Sequence, residues 1–172
     1  IDIGGLKEMK YCITNGKVIL KNQVVDANVY VENTKITEIS NRQPDDETVI
    51  DAKGRYVSPG FIDVHIHGAG GCDTMDGTVE SINTIAKTIV EHGTTSFTPT
   101  TMTVAAEDIR KSMKVIKKLK EEGTEGANVL GAHLEGPFIS PKAIGAQNPN
   151  FLLAPSVENY NKIVGDYGDA VV

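Results

Sequence analysis

Two histidines and a glutamate carry the chemistry this sequence offers. His65-Ile66-His67 closes an apolar run that reads as a strand, and residues two apart in a strand point to one side with Cα atoms about 6.5 Å apart. Two imidazoles so placed can converge on one metal ion, each nitrogen at about 2.0 to 2.1 Å from it. The same spacing also suits two ordinary hydrogen-bonded histidines. Glu135 ends a later strand in His133-Leu134-Glu135-Gly136-Pro137. A carboxylate at the inner end of a parallel strand is costly to desolvate alone, so it needs a cation, hydrogen-bond donors or a metal. Loop amides or a lysine would also satisfy it. His133 shares the face of Glu135 and is read as a support or substrate contact rather than a ligand; His92, at the end of a helix, is read as a surface residue.

The remaining polar motifs are weaker. The stretch from Phe138 to Pro155 exceeds the ~12 to 15 residues at which structureless loops usually have a role, so a substrate-contacting loop or a surface excursion is expected there. Gly68-Ala69-Gly70-Gly71 lacks the G-x-G-x-x-G spacing, and no Gly-Lys-Ser/Thr follows. Those glycines are read as room for backbone near the site. Asp63, Asp73 and Asp76 are read as turn, cap or structural residues rather than catalytic acids, and Cys72 is taken as inert.

The elements that must position these residues fall into two grammars. Up to about residue 57 the chain is rich in short β signals. Asn15-Gly16, between Tyr11-Cys12-Ile13 and Val18-Ile19-Leu20, predicts a hairpin turn. Val25, Ala27, Val29 and Val31 alternate along one face of a strand, Asn33-Thr34-Lys35 turns it, and Ile36 to Ile39 returns. Short strands follow at Thr48 to Ala52 and Tyr56-Val57. From Ser58-Pro59-Gly60 onward, strand alternates with helix. Phe61 to His67 is a strand, and Val79, Ile82, Ile85, Ala86, Ile89 and Val90 share a helical face that Gly93 ends. Thr95 to Thr100 is a second strand, with a helix from about Val104 to Gly123. Asn128 to Glu135 is a third strand, with a helix opening at the N-cap Ser156. Ala170-Val171-Val172 looks like the start of a fourth.

Repeated βα units imply parallel strands. At roughly 31 residues per unit, Gly60 to Val172 supplies about 3.6 units of a (β/α)8 barrel; pattern alone weighs such a partial barrel equally against a doubly wound open sheet. With 17 Lys and Arg against 23 Asp and Glu, the net charge of −6 and the absence of like-charge runs disfavour nucleic acid as a partner. No apolar run approaches the ~18 residues of a membrane span, and two cysteines sixty positions apart suit a reducing cytoplasm. Met9 is a candidate natural start, with Ile1 to Glu8 an upstream extension.

Three strings together resemble the N-acetylglucosamine-6-phosphate deacetylase family of the amidohydrolase superfamily. They are Pro59-Gly60-Phe61-Ile62-Asp63-Val64-His65-Ile66-His67-Gly68, Gly93-Thr94-Thr95-Ser96-Phe97-Thr98-Pro99-Thr100, and Gly131-Ala132-His133-Leu134-Glu135-Gly136-Pro137-Phe138 followed by Gly145-Ala146-Gln147-Asn148-Pro149. The resemblance implies an α/β chain: a partial (β/α)8 TIM-type barrel over 59–172, preceded over 1–58 by part of a small β-sandwich. It implies that Glu135 binds metal, that His65 and His67 match the first-strand pair that binds metal in many amidohydrolases, and that Ala146 and Gln147 occupy the loop position that meets the sugar. Some members carry His where Gln147 stands, and some lack the His pair and use one ion.

The implied cofactor is one or two divalent ions, of Zn, Fe, Mn or Co. The implied reaction is amide hydrolysis giving acetate and glucosamine-6-phosphate, with an acidic side chain returning the proton to the amine. The implied partner is a phosphorylated amino sugar, and the full-length enzyme is expected to be a cytoplasmic homo-oligomer. Two further metal-binding histidines and the catalytic aspartate of the family fall beyond Val172, so these 172 residues alone are expected to be inactive. Two readings compete: an amidohydrolase of cyclic amides, whose relatives place a carboxylated lysine at the metal, and a non-catalytic metal-binding or assembly module.

Overall fold

In the computed structural model, which describes residues 9–172, the chain divides after Pro59 into two compact units. The reading of Ile1 to Glu8 as an upstream extension lies outside the described residues. The first unit is a sheet of β1 (Lys10–Ile19), β2 (Val24–Glu32), β3 (Lys35–Ser40), β4 (Thr48–Asp51) and β5 (Tyr56–Val57). Its order is β3-β2-β1-β4, with β5 also on β1. β2 is antiparallel to β1, whereas β4 and β5 run parallel to it.

The hairpin expected at Asn15-Gly16 is not formed. β1 continues through the pair, and the register against β2 jumps between Ile13 and Gly16. Asn15 does take a positive φ of 54°, but the left-handed residue makes a bulge rather than a turn. The bulge falls where the parallel neighbour changes from β4, ending opposite Thr14, to β5, beginning opposite Lys17. Asn15 Nδ2 donates to Asp51 at 3.0 Å and its carbonyl accepts from Gly54 N at 2.8 Å, tying the kink to the β4–β5 connection. The alternation in β2 buries Val29, yet Tyr30 on the other face is buried as well. Arg42 explains it: its guanidinium lies 3.9 Å over the Tyr30 ring and its carbonyl accepts from the phenol.

The second unit begins with β6 (Phe61–Ile66) and a small hairpin of β7 (Gly68–Ala69) and β8 (Cys72–Asp73). It continues with α1 (Val79–Val90), β9 (Thr94–Pro99), α2 (Ala106–Glu122), β10 (Asn128–Val129) and α3 (Val157–Val164). Gly70 and Gly71, at φ 63° and 81°, form the tight β7–β8 turn. The glycine string thus builds a hairpin immediately after the histidines. Asp73 caps the following 3₁₀ turn and Asp76 accepts from the Asp73 N–H, a reciprocal capping box.

β6, β9 and β10 are parallel in the order β10-β9-β6. The third strand is shorter than expected, because regular pairing stops at Val129. Gly131 sits at φ 150°, and a Cβ there would lie 2.5 Å from the Ala170 carbonyl. The segment nonetheless stays alongside β9, through Leu130 N to Phe97 O at 3.0 Å and His133 N to Pro99 O at 3.1 Å. Val171 forms a single parallel bridge with Ala132 on its far side. Within this parallel sheet β6, β9 and β10 therefore follow one another in chain order.

The helices bury one face each. Ile82, Ile85, Ala86 and Ile89 of α1 pack with Ile109, Met113, Ile116 and Leu119 of α2 around Phe97, Val129 and Ala132. Thr78 caps α1 through Ser81 N, Ser156 caps α3 through Asn159 N, and Gly123 closes α2 at φ 90°. This packing fixes the back of β9, and of β6 only at Ile66; the ends of both strands carry the polar residues. Ile85→Ala should therefore cost about 2–5 kcal/mol of stability, read as a lower urea midpoint. A loss under about 0.5 kcal/mol would contradict the placement of Ile85 at the centre of the core.

Candidate metal centre

The ends of β6 and β9 set the histidines. Thr100, fully buried just past β9, receives the Ile66 N–H on its Oγ1 at 3.0 Å, and its carbonyl lies 3.2 Å from His67 Nδ1. A carbonyl can only accept, so His67 carries its proton on Nδ1 and turns the Nε2 lone pair outward. Asp63, inside β6 rather than in a turn, accepts from the His65 backbone N–H on Oδ1 at 3.1 Å, a local structural contact. Glu135 is brought in by the segment that follows β10: the Thr101 N–H donates to the His133 carbonyl at 3.0 Å, and Thr101 Oγ1 donates to the Glu135 carbonyl at 3.4 Å.

These supports converge three side chains. Glu135 Oε2 lies 2.8 Å from His65 Nε2 and 3.1 Å from His67 Nε2, and the two nitrogens are 3.3 Å apart. Despite those short separations, Oε2 is buried and makes no hydrogen bond of acceptable geometry among the described residues. Its partner oxygen is engaged: Gln147 Nε2 donates to Oε1 at 2.8 Å. One donor atom from each of His65, His67 and Glu135 can be chosen so that all lie within 4.8 Å of one another. Such a cluster of lone pairs repels itself unless something positive lies among them. A divalent ion meets that need, and two imidazoles with a carboxylate suit Zn, Fe, Mn or Co.

His133 stands beside this cluster without joining it. Its ring meets His65 edge-on at 4.7 Å between centroids, and Nδ1 is 3.3 Å from Thr100 Oγ1. Burial, followed by the positive charge that His65 can carry, pushes its pKa down from the usual histidine value. His92 is exposed in the closing turn of α1. Cys12 is a buried free thiol and Cys72 a half-buried one.

The segment from Phe138 to Pro155 has more order than its length suggests. Pro141–Ala143 and Pro149–Phe151 form 3₁₀ turns, capped by the side chains of Ser140 and Asn148. Ala146 is exposed, whereas Gln147 is buried with both ends of its amide bonded: Oε1 accepts from Thr103 N at 2.8 Å. The sequence reading gave no role to Thr100, Thr101 or Thr103. Their one signal was the density of threonines where an apolar strand ends, since a hydroxyl at such a place can serve neighbouring backbone ends.

The chain is similar to known proteins over most of its own length. Residues 48–116 match the amidohydrolase family. The chain is 34% identical over 152 residues to N-acetylglucosamine-6-phosphate deacetylase of Bacillus subtilis, an alignment covering 84% of this chain and 38% of that protein. It is 41% identical over 100 residues to the Vibrio furnissii deacetylase, covering 58% of this chain and 25% of the relative. The crystal structure of the Pasteurella multocida deacetylase superposes with a TM-score of 0.84 at 27% identity, covering 95% of this chain and 43% of that one. The chain is thus a relative of the amidohydrolases. Within them it is homologous to N-acetylglucosamine-6-phosphate deacetylases, and it spans about a quarter to two-fifths of their length.

One backbone position tests the architecture of the centre. Gly136, next to Glu135, sits at φ 68°, and a Cβ there would fall 1.9 Å from Thr103 Oγ1. Gly136→Ala should lose about 1–3 kcal/mol through strain and crowding and weaken divalent-ion binding by displacing the carboxylate. Unchanged stability and affinity, by thermal denaturation and calorimetry, would contradict the geometry described.

Proposed function

We propose that this chain is the metal-binding portion of a hydrolase that removes the acetyl group from N-acetylglucosamine-6-phosphate, releasing acetate and glucosamine-6-phosphate. The observation that carries this reading is the buried Glu135 Oε2, without a hydrogen bond and facing the Nε2 atoms of His65 and His67. The deacetylase relatives supply the substrate class. A divalent ion held by those three residues would supply Lewis-acid polarisation of the acetyl carbonyl and an acidified water.

The residues of the chain prepare that chemistry. Thr100 fixes the tautomer and ring orientation of His67. Burial, followed by the charge His65 can carry, lowers the pKa of His133 beside the cluster. Ala146, exposed in the loop, is the member of the Ala146–Gln147 pair open to the sugar. The strands in chain order support a barrel of which about 3.6 units are present here, and the first unit is read as part of a sandwich. The aspartate that would return a proton to the leaving amine, and two further metal-binding histidines, are assigned to chain beyond Val172. These 172 residues alone therefore bind metal without turnover. Free thiols at Cys12 and Cys72 fit a cytoplasmic setting. The helices themselves place no membrane span: among the described residues none is long and apolar enough to cross one.

The reading is tested with the polypeptide extended through its downstream reading frame. That protein should release acetate from N-acetylglucosamine-6-phosphate, lose the activity to a chelator and regain it with Zn or Co, while residues 1–172 give none. Glu135→Gln in the extended protein should lower kcat/KM by about 100-fold or more, beyond the range of outer-sphere substitutions. An extended protein that ignores the chelator, or that hydrolyses cyclic amides in preference, would overturn it.

A further inference from the structure

The side-chain amide of Gln147 is fixed at both ends. The Thr103 N–H can only donate, so the atom it meets at 2.8 Å is the amide oxygen. The amide nitrogen then faces Glu135 Oε1, also at 2.8 Å, and a carboxylate accepts it. Both contacts are sheltered, with Gln147 8% and Thr103 1% exposed. The remaining amide hydrogen has only the thioether of Met102 near it, 3.7 Å from Nε2. No polar atom of this side chain is left to reach outward.

We infer that Gln147 is a positioning residue: it occupies Oε1 of Glu135 and so presents Oε2, and only Oε2, to His65 and His67. A carboxylate with both oxygens free can rotate between one-oxygen and two-oxygen ligation of a cation. Here a charge-assisted hydrogen bond of good length holds one oxygen back, and Oε2 stands without a hydrogen bond 2.8 and 3.1 Å from the two imidazole nitrogens. The anchor for this bond is the Thr103 backbone, which follows β9, the strand whose end also orients His67 through Thr100. Gln147 therefore couples the loop that carries it to the ligand geometry, and acts on chemistry through Glu135 rather than by touching the sugar. The inference rests on the metal-site reading proposed above.

Calorimetric titration of residues 1–172 with Zn, paired with the melting temperature of the metal-free chain, tests it. Gln147→Met keeps the length and removes both polar ends; it should weaken the Zn dissociation constant about 10- to 100-fold, the range for outer-sphere partners. Gln147→Glu keeps the acceptor for Thr103 and replaces only the donor to Glu135, so its melting temperature should stay nearer the parent's while the affinity still changes. Parental affinity in both variants, together with a loss in Glu135→Gln, would overturn the positioning role and leave the metal site standing. Parental affinity in Glu135→Gln would overturn both. Should Gln147→Met fail to fold, the parent chain decides: by NMR the Gln147 side-chain amide protons should exchange more slowly than those of exposed Gln43, and equal rates would overturn the inference.

Discussion

A buried carboxylate oxygen with no hydrogen bond, set against two imidazole nitrogens, is the constraint on which the site depends. Desolvating an ionised oxygen without a partner costs far more than an isolated domain can spare. Glu135 Oε2 is buried without a hydrogen bond among the described residues, and the nitrogens it meets offer lone pairs or, once protonated, charge. A divalent cation satisfies all three donors together, and removes the mutual repulsion of two ring nitrogens 3.3 Å apart. The fold maintains the arrangement because the supports lie outside the cluster: Thr100 behind His67, Gln147 behind Glu135, Thr101 along the backbone.

The end of β9 is the organising element. It lies between β6, at whose end His65 and His67 sit, and the segment after β10, which carries the glutamate. Just past it, Thr100, Thr101 and Thr103 are buried, and each serves a backbone or side-chain group of a neighbouring segment. This explains why residues seventy positions apart reach one another. Parallel strands in sequence bring successive strand ends to the same edge of the sheet, where βα proteins place their chemistry. The apolar faces of α1 and α2 pack behind Phe97 of β9 and Val129 of β10, and reach β6 only at Ile66.

Much of this was legible in the sequence. The i, i+3, i+4 periodicity of Ile82, Ile85, Ala86 and Ile89 marked α1 within a residue or two, and the H-x-H spacing together with the strand-terminal Glu135 named the three convergent residues. The failures have physical causes. Asn15-Gly16 signals a left-handed backbone, which a turn and a bulge use equally; which one forms depends on β4 and β5, whose pairing no local window contains. The third strand reads as eight extended residues, but the close approach of Ala170 to Gly131 ends its ladder early. The role of Gln147 was hidden for a similar reason: a glutamine in a loop reads as a polar contact to solvent or ligand, and its burial between Thr103 and Glu135 exists only in the folded chain.

Anomalous X-ray diffraction from crystals of this chain grown with Zn measures the central claim most directly. The account predicts one strong peak about 2.0 to 2.2 Å from His65 Nε2, His67 Nε2 and Glu135 Oε2, with Glu135 Oε1 still bonded to Gln147. A crystal in which the ion binds elsewhere, or in which these three side chains separate and bind no ion at saturating Zn, would contradict it.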